Sequence, residues 1–257
     1  MLFNLKKTKK YSYIEEGEGV PIVLLHGLMG ELSNFELLTQ YFSRIGYKVY
    51  APELPIYSFP ILNTNVTNFA KFVSRFIKDV VGEPAILVGN SLGGHLGLIT
   101  TIKNPELVRA LCLTGSSGLY EKSFGESFPK RSSYEYVLKK TQEVFYDPNV
   151  ATKEIVDDVF ETINDRKKAI KTLYIARSAI KTNLKEELNL IKAPVCLIWG
   201  KQDNVTPPEV AEEFKEEISD STLYWIDKCG HAPMMEHPEK FNELLAGWLR
   251  EKNIVPS

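Results

Sequence analysis

The sequence predicts an α/β protein, with a mostly parallel open sheet, helices on both faces and an inserted helical segment. Three observations carry this. Strand-length apolar runs alternate with stretches of helical periodicity from Val20 to Thr114 and again from Ala193 to Trp248. Runs such as Val20–Leu25 are apolar throughout rather than alternating, as strands buried on both faces are. Residues 119–190 carry helical patterns and no strand pattern, far more chain than the roughly dozen residues a single crossover requires. The expected division is therefore a sheet core of residues 1–118 and 191–257, with residues 119–190 inserted as a helical cap over the sheet's carboxyl edge.

Each element follows from local chemistry. Tyr11–Ile14 is rich in strand-forming aromatics, Glu15–Gly19 makes a turn, and Val20–Leu25 is a buried strand, which together predict an antiparallel hairpin. His26–Gly30 is the loop leaving that strand. A helix is expected to about Ile45, with Ser33 as its cap and Gly46 as its stop. Tyr47–Ala51 is the next strand, and a Pro- and Asn-rich loop runs to about Thr64. Phe69, Phe72, Val73, Phe76, Ile77 and Val80 share one helical face within 66–81, which Gly82 ends. Ala85–Val88 and Val108–Thr114 are further strands. Helical patterns then cover Ser132–Phe145, Thr152–Ile163 and Arg166–Lys181. Alternation resumes with a strand over Ala193–Gly200, a helix opened by Pro207 or Pro208, a strand over Thr222–Ile226 and a closing helix begun at His237-Pro238.

Composition narrows the function. The chain has 257 residues, 44% hydrophobic and 25% charged, ordinary for one large domain or one domain with an insertion. A net charge of −2 gives no electrostatic case for nucleic acid or an anionic membrane. The basic cluster Lys6–Lys10 is followed by Glu15, Glu16 and Glu18, which makes it a solvated terminus. Cys112, Cys196 and Cys229 match neither a metal pattern nor a disulfide framework. The first residues hold no signal-peptide core, and no run approaches the roughly 20 apolar residues of a membrane span. The expectation is a cytoplasmic protein acting on a small molecule, with oligomeric state left open.

The chemistry centres on Gly89-Asn90-Ser91-Leu92-Gly93, a Gly-x-Ser-x-Gly pattern between an apolar run and a helical stretch. By itself the pattern arises by chance in roughly one chain in ten. In a strand–turn–helix setting, however, the turn strains the serine backbone and lifts its hydroxyl clear of the sheet. Gly89 and Gly93 are needed because side chains there would strike neighbouring backbone. A serine hydroxyl needs a base, and the base an orienting acid. In an open α/β sheet such groups gather beyond the carboxyl ends of the strands. Asp203 follows the strand ending at Gly200, and His231 follows the strand ending at Ile226. Asp227 is the rival acid. His26 belongs to the loop after the first buried strand, His95 lies in the helix after Ser91, and His237 starts a helix. The N–H groups of Leu28 and Leu92 are candidate oxyanion donors. Gly27 lets backbone approach the substrate.

These stretches together resemble the α/β-hydrolase superfamily: Leu24–Leu28, Gly89–Gly94, Trp199–Asp203 with Pro207, Gly230–Pro233, and Glu236–Pro238. Only the insertion is unmatched. The resemblance implies a Ser91–His231–Asp203 triad, an oxyanion hole from Leu28 and Leu92, no metal and no organic cofactor. Serine at the elbow separates the chain from dehalogenases and epoxide hydrolases, which carry aspartate there, and from dienelactone hydrolases, which carry cysteine. It implies acyl transfer to water, with a small or medium acyl ester as the expected substrate. A carbon–carbon hydrolase of the meta-cleavage-product type is the alternative, because Gly89–Gly94 resembles that elbow. Those enzymes often carry an aromatic residue after the histidine, where this chain has Ala232. A non-catalytic receptor on the same scaffold is the reading from another class. Gly27, Met29, Tyr174 and Arg177 are candidate substrate contacts, and Phe124, Phe128, Tyr134, Phe145 and Tyr174 candidate apolar lining. Where the family often shows an Asp-Leu-Pro-Gly type turn, the chain has Glu53-Leu54-Pro55-Ile56, which leaves that loop's shape open.

Overall fold

The computed structural model describes residues 3–120 and 131–256. Among these the strands are β1 (Leu5–Lys7), β2 (Ser12–Glu16), β3 (Val20–Leu25), β4 (Tyr47–Pro52), β5 (Ala85–Asn90), β6 (Val108–Thr114), β7 (Val195–Gly200) and β8 (Ser221–Ile226). They form one sheet in the order β1-β2-β4-β3-β5-β6-β7-β8. Every neighbouring pair from β4 to β8 is parallel. The carboxyl ends of β3, β5, β6, β7 and β8 therefore open on one edge.

The expected hairpin between the second and third strands does not form. β2 pairs antiparallel with β1 and with β4, and β4 stands between β2 and β3. The reason lies in the connecting turn. Gly17 and Gly19 have φ of 80° and 105°, and side chains at these positions would overlap the Tyr47 and Gly46 carbonyls. The turn thus sits directly on the start of β4 and carries the chain across that strand. β1, with two lysines among its three residues, leaves no apolar trace in the sequence.

Alternate residues of each strand feed two cores. Leu87 joins the face packed by Phe69, Val73 and Phe76 of α2 (Val66–Phe76) and by Leu96 of α3 (Leu92–Lys103). Ile86 and Val88 join the opposite face, closed by Leu38 and Phe42 of α1 (Glu36–Arg44) and by Phe241, Leu245 and Trp248 of the helix Pro238–Glu251. A short 3₁₀ turn, Leu32–Phe35, precedes Glu36, so Ser33 lies inside that turn and does not cap the helix. α2 runs on into a π turn, Ile77–Val81, and stops at Gly82 with φ of 80°.

Between β6 and β7 lie α4 (Tyr134–Gln142), α5 (Lys153–Asn164) and α6 (Arg166–Lys181). Ser133, Thr152 and Asp165 cap them through their side-chain oxygens. Val137, Val159 and Ile163 make a small cluster of their own, while Ile175 and Ala179 of α6 pack into the α2–α3 core.

His95 is fully buried on α3. Burial lowers its pKa from 6.5 to about 4, with the Thr182 backbone pulling weakly the other way. Below pH 6.5 the unfolded chain binds this proton and the folded chain does not, so stability present at neutral pH is lost as pH falls toward 4. His95 alone should cost about 1.5 kcal/mol between pH 6.5 and 5. Urea unfolding at both pH values should show this loss in the native protein and a smaller one in His95→Leu.

Candidate functional site

β5 delivers the chain to Ser91, whose φ of 54° and ψ of −119° lie outside the usual regions for a side-chain-bearing residue. Such strain persists only where the surroundings over-determine it. Here Ser91 N donates to Thr114 O at 3.2 Å, and Ser91 O accepts from Ser117 N and His95 N, each at 3.2 Å. A Cβ at Gly93 would overlap the Leu25 carbonyl, and one at Gly89 would lie 2.5 Å from Gly94 N. α3 begins at Leu92, so its first N–H groups have no partner within the helix and carry the positive end of its dipole.

The loop after β7 places Asp203 with only 2% of its surface exposed. Oδ1 accepts from Val205 N at 2.8 Å and Thr206 N at 3.0 Å, and Oδ2 from the Thr206 hydroxyl at 2.9 Å. Thr206 is itself held, its carbonyl accepting from Trp199 Nε1 at 2.9 Å. His231 Nδ1 lies 3.0 Å from Asp203 Oδ2 and 3.2 Å from Oδ1. A carboxylate only accepts, so Nδ1 carries the proton and Nε2 the basic lone pair. The rival acid, Asp227, is exposed and bonds Gln202 Nε2 at 3.4 Å.

Ser91 and His231 line one cavity of about 520 Å³. Its floor is the carboxyl edge of the sheet, with Gly27, Leu28, Met29 and Leu92. Its far wall is helical, with Ile155, Val159, Thr172, Ala176 and Ala179. The loop after β3 is tied down by His26. Its Nδ1 bonds Gly27 O at 2.8 Å, and its Nε2 accepts from Leu54 N at 3.1 Å. Burial lowers the pKa of His26, which keeps the ring in the neutral form that can serve both partners. The Glu53–Ile56 departure is thereby accommodated, because a backbone N–H rather than a side chain makes the bond.

The sequence model described as "Alpha/beta hydrolase family" matches residues 22–244. The chain belongs to the alpha/beta hydrolase family. An alpha/beta hydrolase enzyme from the metagenome of sediments of the Mar Chica lagoon, Morocco, is 50% identical, with a TM-score of 0.82 over 97% of this chain and 99% of that one. A Comamonas testosteroni protein named 2-hydroxy-6-oxo-6-phenylhexa-2,4-dienoate hydrolase is 27% identical over 93% of this chain and 91% of its own. Bacillus subtilis (strain 168) has a 25% identical relative named as an uncharacterized hydrolase, YugF, with 93% of each chain covered. Family and homologues alike are hydrolases, and this chain is one.

Within this alpha/beta hydrolase the residues singled out from sequence fall in different places. Gly27, Leu28, Met29, Ser91, Leu92, Phe145 and His231 face the cavity, and Asp203 stands behind His231. Tyr174 and Arg177 are exposed and do not line it. They occupy a face of α6 turned away from Thr172, Ala176 and Ala179. Tyr134 is also exposed and donates to Asp157. Phe124 and Phe128 lie outside the described residues. Among the described residues no group of three His, Cys, Asp or Glu side chains is placed to hold a metal ion, and no helix is long and apolar enough to cross a membrane.

Three contributors carry no sequence signal of their own. Asn90 Nδ2 donates to Thr114 O and His231 O, each at 3.0 Å, and so fixes the His231 backbone. Gly115, with φ of 51°, backs the imidazole, since a Cβ there would lie 2.8 Å from Nδ1. Thr206 supports the acid. Asn90 is the unspecified position of the Gly-x-Ser-x-Gly pattern, and a signal for it existed only in its adjacency to Ser91.

Proposed function

We propose that this hydrolase cleaves small or medium acyl esters through an acyl-enzyme, with Ser91 as nucleophile, His231 as general base and Asp203 as its orienting acid. The observation that carries this is His231, bonded at Nδ1 to the buried Asp203 and sharing a cavity with a strained serine at a helix start. Nε2 takes the Ser91 proton as Oγ attacks the carbonyl carbon. The resulting oxyanion is held by the N–H groups of Leu28 and Leu92. The proton passes to the departing alcohol, and water attacks the acyl-enzyme by the same route in reverse. Residues 119–190 act as the cap in this reading, and the apolar side chains of α5 and α6 hold the acyl or alcohol portion. The three buried free cysteines suit a reducing compartment such as the cytoplasm.

Carbon–carbon hydrolysis is the second reading, favoured by the 27% identical relative named for a 2-hydroxy-6-oxo dienoate. Against it stands Ala232 after the histidine; Arg177 is exposed and outside the cavity, and the cations that line it are Arg131 and Lys140. Arg177→Ala should therefore leave the KM for p-nitrophenyl butyrate within about twofold of the native value. A larger rise would put Arg177 back in the site.

A fluorophosphonate probe followed by peptide mapping tests the acyl-transfer chemistry, and a panel of p-nitrophenyl esters, thioesters and 2-hydroxy-6-oxo dienoates tests the substrate class. Labelling of Ser91 with ester turnover is the expected result. Labelling with turnover of the dienoates alone would move the assignment to carbon–carbon cleavage. An inert Ser91 would leave a receptor.

A further inference from the structure

We infer that Glu236 is a positioning residue for the His231 loop, clamping it to residues 144–147 between α4 and α5. The inference rests on His231 acting as the base for Ser91. Glu236 ends the short helix Pro233–Glu236, in the space between two loops. Oε1 accepts from Gly230 N at 2.7 Å, with Cys229 Sγ at 3.8 Å. Oε2 accepts from Tyr146 N at 2.7 Å and from Asp147 N at 3.4 Å. A third strap runs directly between the loops, from His231 N to Val144 O at 3.0 Å. Gly230 makes the approach possible, because a Cβ there would lie 2.6 Å from Val144 O and 2.9 Å from Tyr146 N.

The donor set explains why the residue is a carboxylate. Three backbone N–H groups and a thiol converge on two oxygens, and only an acceptor-only side chain with about four lone-pair sites serves them all. An amide of the same shape offers one oxygen, and its NH₂ would face a backbone N–H on one side or the other. The residue before His231 is one end of the clamp, so the imidazole's reach toward Ser91 depends on it. Residues 144 and 145, at the other end, line the substrate cavity. Helical segment and base are thereby held in register by one side chain that itself lies outside the cavity lining.

The test compares native protein with Glu236→Gln and, as a second variant, Glu236→Ala. Fluorophosphonate labelling of Ser91 should slow by about 10–100-fold in both, the scale expected when a reacting group is misplaced by about 1 Å. For p-nitrophenyl butyrate, kcat should fall by a similar factor with KM little changed. Hydrogen exchange at the Gly230 and Tyr146 amides should rise together. A labelling rate unchanged in Glu236→Gln, with the melting temperature lowered, would make the clamp merely structural and overturn the inference. Absence of labelling in the native protein would instead overturn the acyl-transfer reading, and this inference with it.

Discussion

Replacing Ser91 by alanine should lower turnover of p-nitrophenyl butyrate by about 10⁴–10⁶ while leaving the fold intact. The size follows from the division of labour proposed for the site. Without the hydroxyl no acyl-enzyme forms, and the remaining rate is that of a bound ester exposed to water beside Leu28 and Leu92. The fold should hold because alanine keeps the Cβ and loses one oxygen. The backbone bonds that impose the φ of 54°, from Ser91 N to Thr114 O and from Ser117 N to Ser91 O, do not involve the side chain. Far-UV circular dichroism and melting temperature should match the native protein. Turnover within tenfold of native in a folded Ser91→Ala variant would show that the serine does not attack. Asp203→Asn should be the weaker lesion, because it perturbs the tautomer and orientation of His231 and leaves the Ser91 hydroxyl present.

The contrast between legible and illegible parts of this site is physical. Gly89, Ser91 and Gly93 stand out in the sequence because the local turn permits few alternatives at those positions, and overlap with Leu25 and Gly94 enforces them. Asp203 and His231 are legible as neighbours through topology, since parallel strands deliver their loops to one edge. The pairing of β2 with β4 was hidden, because it depends on where the Gly17–Gly19 turn comes to rest and not on the strands' own residues. The cavity wall was hidden for a different reason. Large aromatics are the lining the sequence suggests, yet much of the α6 wall is Ala169, Thr172, Ala176 and Ala179. Small side chains leave space where large ones fill it, and Tyr174 and Arg177 lie around the helix from them. On α5 the reverse held. The recurrence of Ile155, Val159 and Ile163 reads as an ordinary core stripe, and all three face the cavity. Periodicity reports an apolar face and is silent on whether protein or substrate covers it.

Gly93→Ala should be the most damaging single-methyl change at the elbow. The added Cβ would overlap Leu25 O and lie 2.9 Å from His26 O, both backbone atoms of β3 and its loop. Neither is the end of a flexible side chain. Leu25 is in register with Gly89 of the adjacent parallel strand, so β3 cannot retreat without breaking that pairing. Nor is α3 free to move, as ten of its residues are buried between β5, β6 and α2. The clash has to be absorbed by strain in the sheet or by displacement of α3, which starts just after Ser91. Overpacking in well-filled sites costs about 1–3 kcal/mol, and a rigid backbone obstacle lies at or above the top of that range. At about 2–4 °C per kcal/mol for a chain of this size, the melting temperature should fall by at least 6 °C, with turnover lost as Ser91 shifts. Gly247 is the internal comparison. It lies within the helix Pro238–Glu251, and a Cβ there meets nothing within 4 Å. Gly247→Ala should stabilise by about 0.5–1 kcal/mol, because alanine is the better helix former. Thermal melts of the two variants should thus move in opposite directions. A Gly93→Ala protein as stable as the native one would mean that α3 does not pack against β3 at the closeness on which the whole elbow depends.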